Sequence, residues 1–180
     1  MIDWRAILAR ILAAVRRGEN KPAPVESRQA APPRVWAVGG DSLGVGMAAA
    51  GKIPNSAVTG AMTYAAAPRL SALPIGATVI FSCGTNDAAG GLPNFESAVD
   101  EVLRIAANRK QTIVWVGPLS NKLPWAKYAV KADEILRRKV PLYVSLFDVE
   151  WTAGERAPDQ YHLTPRGYAR ALALAKAKVQ

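Results

Sequence analysis

The feature that most constrains the fold is an alternation between short apolar runs and longer amphipathic segments. Four runs have the composition of buried strands, rich in β-branched and aromatic residues, at residues 34–38, 77–82, 112–116 and 142–147. Three segments have the apolar spacing of helices, at residues 95–108, 125–138 and 165–179. Because strands that are apolar on both sides need cover on both faces, we predict a three-layer α/β/α sandwich around a central, mostly parallel sheet of five strands.

Glycine-rich and polar clusters follow three of these strands. Residues 39–46 come after the first strand, residues 84–87 after the second, and Gly117-Pro118 after the third. The carboxyl ends of parallel strands open on one edge of the sheet, where such folds bind their ligands. The sequence therefore predicts that these clusters converge on a single site.

The chain divides into an appended segment and a globular part. Residues 1–17 have their large apolar side chains at the spacing of an amphipathic helix, and residues 18–34 form a linker with four prolines. Residues 35–180 are long enough for one domain with its own core. The chain of 180 residues carries a formal charge of +9, and seven basic and three acidic residues in positions 1–34 contribute +4 of it. The basic excess is therefore concentrated in the appended segment.

The basic amphipathic segment 1–17 leaves three roles open. It can dock on its own domain, lie on a membrane surface, or bind another protein. Arg5 and Arg10 interrupt its apolar residues, unlike the unbroken apolar region of a cleavable signal peptide, and it is too short for a transmembrane span. We therefore expect the protein to be cytoplasmic or attached to a membrane at its periphery. Nucleic acid is not an expected partner, because Trp36 and Trp115 lie in strand runs rather than beside a basic patch.

The sequence Gly40-Asp41-Ser42-Leu43 follows the first strand and contains a candidate nucleophile. A serine on a glycine-flanked turn between strand and helix presents its hydroxyl outside the sheet, beside helix N–H groups that can bind an oxyanion. The alternative is that Asp41 or Ser42 only caps the helix. The turn alone is compatible with both interpretations.

The single histidine, His162, follows Asp159 by three residues. A histidine that activates a serine needs its other ring nitrogen oriented, most often by a carboxylate, and one compact turn brings Asp159 within reach. Asn86, which follows the second strand, can donate to an oxyanion without titrating. Gly60 can bring a backbone N–H close to a ligand because it has no side chain. These residues are candidate members of one site.

Four motifs occur in the order and rough spacing of a known hydrolase family. They are Gly40-Asp41-Ser42-Leu43, Gly60, Gly84-Thr85-Asn86-Asp87 and Asp159-x-x-His162, and they span nearly the whole globular part. In these motifs the chain resembles the GDSL, or SGNH, hydrolases. The resemblance implies a flavodoxin-like α/β fold and the activity of a serine esterase or lipase.

The same resemblance implies a role for each matching residue. Ser42 would be the nucleophile, His162 the general base, and Asp159 the residue that orients the base. The backbone N–H groups of Ser42 and Gly60 and the side chain of Asn86 would form the oxyanion hole. We expect no metal and no cofactor, and one cysteine and one histidine are too few for a typical zinc site.

Other interpretations of the glycine-rich turns fit less well. Gly40-x-Ser42-x-Gly44 matches the nucleophile elbow of α/β-hydrolases, but that serine follows a central strand of a larger domain. The glycines do not give the G-x-G-x-x-G of dinucleotide binding, and Gly51-Lys52 is not followed by Ser or Thr as in a P-loop. Cys83, at the end of the second strand, is expected to be a buried core residue rather than a nucleophile.

We expect the reaction to be hydrolysis of a carboxylic ester through an acyl-enzyme, with a small-molecule or glycan ester as the partner. The short chain leaves no large insertion to serve as a lid, which favours small acyl groups such as acetyl on carbohydrate. The alternatives are longer acyl chains, as in lysophospholipases and thioesterases, or an idle domain used only for binding or attachment.

Overall fold

A parallel β-sheet is the centre of the fold. The computed structural model describes residues 33–119 and 124–180. Within them the sheet has four strands, which are β1 (Trp36–Gly40), β2 (Thr78–Ser82), β3 (Thr112–Val116) and β4 (Tyr143–Val144). The strands lie side by side in chain order, and every neighbouring pair is parallel.

Helices cover both faces of this sheet. In chain order they are α1 (Ser42–Gly51), α2 (Thr63–Ala66), α3 (Thr85–Ala89), α4 (Phe95–Asn108), α5 (Ala126–Lys139) and α6 (Pro165–Ala177), with 3₁₀ turns at Ala67–Ala72 and Leu146–Asp148. The predicted helix 95–108 has the observed bounds of α4, and the other two predicted helices differ from α5 and α6 only at their ends.

The core lies in two layers, because successive strand residues point to opposite faces. Val38, Ile80 and Val114 pack with residues of α1 and α6 on one face. Phe81 and Trp115 pack with residues of α2, α4 and α5 on the other face, with their ring centroids 4.8 Å apart. The prediction of a three-layer α/β/α sandwich is therefore confirmed.

The sheet differs from the prediction in the number of strands, which is four among the described residues rather than five. The segment 53–58 runs beside the free edge of β1, but it forms only one parallel bridge, between Val38 and Asn55. The Val38 N–H donates to the Pro54 carbonyl, and the Ser56 N–H donates to the Val38 carbonyl, each at 2.9 Å. The pairing cannot extend toward the start of β1, because Pro54 has no N–H to donate.

The last strand is also shorter than the predicted run 142–147. Ser145 ends it, because its Oγ accepts from the Phe147 N–H at 3.2 Å and begins the 3₁₀ turn Leu146–Asp148. The same hydroxyl donates to the buried Asp133 carboxylate at 2.6 Å. A side chain that bonds its own backbone in this way competes with strand pairing.

The order of the segments around β1 reverses at its carboxyl end. The segment 53–58 lies on one side of β1 and β2 lies on the other. The chain thus leaves β1 in one direction and later returns to its opposite side. In open α/β sheets such a reversal marks the place where ligands bind.

The predictions for the amino-terminal region lie outside the described residues. They concern the helix at 1–17 and nearly all of the linker at 18–34, and they stay predictions. Arg34–Gln180 forms one compact unit. Among the helices of the described residues, none combines the length and the apolar character needed to cross a membrane.

Candidate active site

Ser42 is the first residue of α1, directly beyond the carboxyl end of β1. The chain reaches it through Gly40, whose φ of +112° lies in a region that favours glycine. A Cβ atom at Gly40 would overlap the carbonyl group of Ser82 on β2. The turn therefore needs glycine both for its backbone angle and for the close approach of the two strands.

Asp41 caps helix α1 and leaves the Ser42 hydroxyl available. Its Oδ1 accepts hydrogen bonds from the Leu43 N–H and from the Ser82 hydroxyl, each at 3.0 Å. Of the two residues considered as possible caps in the sequence, Asp41 therefore performs this role. Ser42 is consequently free to bond elsewhere.

The three residues predicted for the catalytic centre form one hydrogen-bonded chain. His162 Nε2 lies 3.0 Å from Ser42 Oγ, and His162 Nδ1 lies 2.8 Å from Asp159 Oδ2. An ionised carboxylate only accepts hydrogen bonds, so Asp159 fixes the imidazole proton on Nδ1. Nε2 then carries the lone pair and accepts the Ser42 hydroxyl proton. This arrangement can make the serine a nucleophile.

Asp159 stays ionised because its hydrogen bonds outweigh the loss of hydration around its carboxyl group. Burial alone would raise the pKa of this carboxyl group, but the His162 ring and the backbone N–H groups of His162 and Tyr161 lower it below its ordinary value. The two N–H groups donate to Oδ1 at 2.9 and 3.1 Å. The carboxylate is thus held in the charged form that orients the imidazole.

A short hairpin before α6 carries both Asp159 and His162. Its two arms pair through an antiparallel bridge between Arg156 and Leu163. The Ala157 N–H donates to the His162 carbonyl, and the Gln160 N–H donates back to the Ala157 carbonyl. The two functional side chains are therefore placed by one local unit, which explains their separation of three residues.

An ion pair attaches this hairpin to helix α6. The buried carboxylate of Glu155 accepts from the Arg170 guanidinium at 2.6 Å and from the Thr152 N–H at 2.8 Å. A Cβ atom at Gly167 would overlap the Glu155 carbonyl, so the hairpin crosses α6 at a position that only glycine allows. Helix α6 in turn packs on α1, which carries Ser42.

The two further residues predicted for the oxyanion hole lie at the same edge of the sheet. Asn86 is the second residue of α3, and its Nδ2 donates to the Ala61 carbonyl at 3.1 Å. Gly60 has a φ of +78° in a four-residue turn that the Ala61 N–H closes on the Val58 carbonyl at 3.1 Å. The Val58 N–H donates to the Gly40 carbonyl at 2.9 Å, which attaches this turn to the strand end before Ser42.

Two buried carboxyl groups lie beneath the site; the sequence indicated Asp41 only as a possible helix cap and gave Asp87 no role. Burial raises the pKa of Asp41 to about 7, against the opposing hydrogen bonds from Ser82 and Leu43. Burial also raises the pKa of Asp87, whose carboxylate bonds Thr63. Their only signal in the sequence is their position beside Ser42 and Asn86 in two glycine-containing turns.

Cys83 is buried and is not suited to nucleophilic chemistry. Burial raises the pKa of its thiol, and the nearby carboxyl groups of Asp41 and Asp87 raise it further. The reactive form of cysteine is the thiolate, which this environment disfavours. Among the described residues no cluster of three or more His, Cys, Asp or Glu side chains could hold a metal ion.

Comparison with known proteins identifies the fold. No family model matches the sequence, and neither does any curated protein. A G-D-S-L family protein from Desulfitobacterium hafniense superposes with a TM-score of 0.62 at 14% identity, over 79% of this chain and 98% of that chain. The psychrotrophic esterase EstA from Pseudoalteromonas gives 0.58 at 13% identity, over 82% and 97% of the two chains. The chain has the SGNH-hydrolase fold.

A third structure extends this likeness. The acetyl xylan esterase AlAXEase superposes with a TM-score of 0.57 at 13% identity, over 81% of this chain and 99% of that chain. The described residues therefore span nearly the full length of several proteins with the SGNH-hydrolase fold. At such low identity the likeness concerns the fold, and the chemistry rests on the side chains at the site.

Proposed function

We propose that this protein is a serine esterase that hydrolyses carboxylic esters through an acyl-enzyme on Ser42. The observation that carries the proposal is the hydrogen-bonded chain from Ser42 through His162 to Asp159, with distances of 3.0 and 2.8 Å. This geometry matches the roles of nucleophile, general base and orienting acid. Esterases with the same fold support it.

The reaction would proceed in two halves. Ser42 Oγ attacks the carbonyl carbon of the ester while His162 Nε2 takes the hydroxyl proton. The negative oxygen that forms is bound by the backbone N–H groups of Ser42 and Gly60 and by the Asn86 amide. His162 then gives the proton to the leaving alcohol, and the acyl group stays on Ser42. Water, deprotonated by His162, releases the acid and restores the serine.

We further propose that the substrates carry short acyl groups, such as acetyl esters of carbohydrate. Tyr161 lies beside His162 with a ring-centroid distance of 4.6 Å, and Trp125 lies 6.3 Å from Tyr161. Both residues are half-buried, so each is partly accessible to solvent. Partly exposed aromatic rings offer faces on which a sugar can stack. The acetyl xylan esterase of the same fold is consistent with this substrate class.

Covalent labelling by a fluorophosphonate tests the activity most directly. Wild-type protein should be labelled on Ser42 and should hydrolyse p-nitrophenyl acetate. Ser42→Ala should lose both properties while it remains folded. Ser97→Ala is the matched control, because Ser97 is exposed on α4 and its hydroxyl donates to the backbone carbonyl of Asn94. Folded wild-type protein that is neither labelled nor active would refute the proposal and favour a binding domain.

The acyl preference is tested separately. We expect kcat/KM to fall from acetate to octanoate in a series of p-nitrophenyl esters, and acetate to be released from acetylated xylan. A rise in kcat/KM with chain length would instead identify a hydrolase of longer acyl chains.

A further inference from the structure

The turn that contains Gly60 is bound to helix α3 through two consecutive residues of that helix. Asn86 donates from Nδ2 to the Ala61 carbonyl at 3.1 Å. The next residue, Asp87, accepts from Thr63, two positions further along the same segment. The segment 60–63 and the first turn of α3 therefore form one hydrogen-bonded unit.

The bond between Asp87 and Thr63 is buried and uses the whole carboxylate. The Thr63 N–H lies 3.1 Å from both Oδ1 and Oδ2 of Asp87, and Thr63 Oγ donates to Oδ2 at 2.9 Å. Asp87 is 1% exposed, and Thr63 is fully buried. A carboxylate is costly to bury, and these donors from one residue offset that cost.

A third contact holds the same segment from the side. Met62 packs against Gly90, where an added Cβ atom would lie 2.5 Å from the methionine methyl group. Ala61, Met62 and Thr63 are thus each held by the segment 86–90. Gly60, which precedes them, has a positive φ and no described atom within 4 Å of where its Cβ would be. The space on the side where a side chain would lie is therefore open.

We propose that Asp87 is a positioning residue, which fixes the Gly60 turn relative to Asn86 so that both can donate to the same oxyanion. This inference rests on the proposed esterase function. Hydrogen-bond donors stabilise a developing charge best when they are held in place before the reaction. Asp87 acts through Thr63 and does not touch the substrate. A small displacement of such donors lowers the rate of the chemical step rather than the binding of substrate.

Two substitutions test this role, one at each partner of the hydrogen bond between Asp87 and Thr63. Asp87→Asn removes the negative charge and one acceptor oxygen, so the charge-assisted bonds from Thr63 are lost, and Thr63→Val removes the hydroxyl donor while it keeps the side-chain shape. We expect kcat for p-nitrophenyl acetate to fall about 100-fold in Asp87→Asn and about 10-fold in Thr63→Val. KM should change less than threefold, and the rate of fluorophosphonate labelling at Ser42 should fall by the same factors as kcat. Thr63→Ser keeps both donors and should restore most of the wild-type kcat.

A core variant separates positioning from simple loss of stability. Val102 is fully buried in the middle of α4 and its side chain forms no hydrogen bonds, so Val102→Ala destabilises the domain and leaves the hydrogen bonds of the segment 60–63 in place. Its kcat per folded molecule should equal that of wild type. All variants are compared by circular dichroism and by thermal unfolding before the kinetics are measured.

The kcat values and labelling rates of these variants decide whether Asp87 positions the Gly60 turn. If folded Asp87→Asn and Thr63→Val keep kcat and the labelling rate within twofold of wild type, Asp87 is not a positioning residue. Losses no larger than those of Val102→Ala at equal stability overturn the inference as well. If Asp87→Asn does not fold, Thr63→Val alone decides. Failure of the proposed function is recognised separately, because wild-type Ser42 would then not react at all.

Discussion

The charge state of Asp41 gives a prediction whose size follows from its burial. Asp41 is fully buried, and no described residue bonds its second oxygen, Oδ2. Burial raises its pKa from an ordinary value of 3.8 to about 7, although Ser82 and Leu43 donate to Oδ1. Between these two pH values the folded protein keeps a proton that the unfolded chain has lost. The free energy of unfolding therefore decreases as pH rises from about 4 to about 7.

The magnitude follows from the difference between the two pKa values. A difference of about 3 corresponds to about 4 kcal/mol over the whole interval. Between pH 5 and pH 8.5, which are convenient for experiment, about 3 kcal/mol of this loss should be observed. Asp87 contributes in the same direction, because burial raises its pKa as well.

Asp41→Asn removes this dependence, because an amide does not ionise and its oxygen can still accept from Leu43 and Ser82. We expect the stability of the variant relative to wild type to improve by about 3 kcal/mol between pH 5 and pH 8.5. Urea unfolding followed by tryptophan fluorescence, at intervals of half a pH unit, measures this difference. Ser82→Ala is the opposite control, since loss of its donor raises the pKa of Asp41 further and should increase the loss of stability above pH 7.

The prediction is wrong if the free energies of unfolding of wild type and Asp41→Asn run parallel when they are plotted against pH. If wild type and Asp41→Asn change stability equally from pH 5 to pH 8.5, within about 0.5 kcal/mol, then Asp41 has no raised pKa. If wild type instead gains stability relative to Asp41→Asn as pH rises, the pKa of Asp41 is not raised but lowered.

Two further substitutions address the turn and the base. Gly40→Ala should lower the free energy of unfolding by about 3 kcal/mol or more, because its φ is +112° and its Cβ would overlap the Ser82 carbonyl. Gly76→Ala, at a φ of +73° with open space around the Cβ position, should cost only about 1 kcal/mol in the same urea titration. Equal losses would show that the overlap is relieved. Asp159→Asn should lower kcat for p-nitrophenyl acetate about 10³-fold or more, because the amide no longer fixes the proton on His162 Nδ1. Activity within tenfold of wild type would mean that Asp159 does not orient the base.

The sheet and the main contacts of the site were predictable because their signals are local in sequence. A buried parallel strand needs an almost continuous apolar run, as in β2 and β3, and polar segments of the chain lack this pattern. Asp159 and His162 lie three residues apart because one hairpin holds both, so their spacing is visible in the sequence. Ser42 was recognisable from the glycine that its turn requires.

The remaining features depend on contacts between distant parts of the chain. Asp87 and Thr63 are 24 residues apart, and neither residue type indicates that it has a buried partner. The limited pairing of the segment 53–58 with β1 has a similar cause, since Pro54 lies opposite β1 and has no N–H to donate. Ser145 ends β4 through a bond to its own backbone, which competes with an apolar pattern that otherwise favours a longer strand.

The hydrogen bond between Ser42 and His162 joins residues that are 120 positions apart. At translation rates of about 5–20 residues per second, Ser42 is synthesised about 6–24 s before His162. Helix α1, the sheet and the hairpin must all be in place before the Ser42 hydroxyl can contact the His162 ring. Under the proposed function, a nascent chain therefore holds an unactivated serine until the segment that carries His162 has folded. Reaction of Ser42 with a fluorophosphonate would accordingly report completed folding of the whole domain, and it could be used to time that event during synthesis.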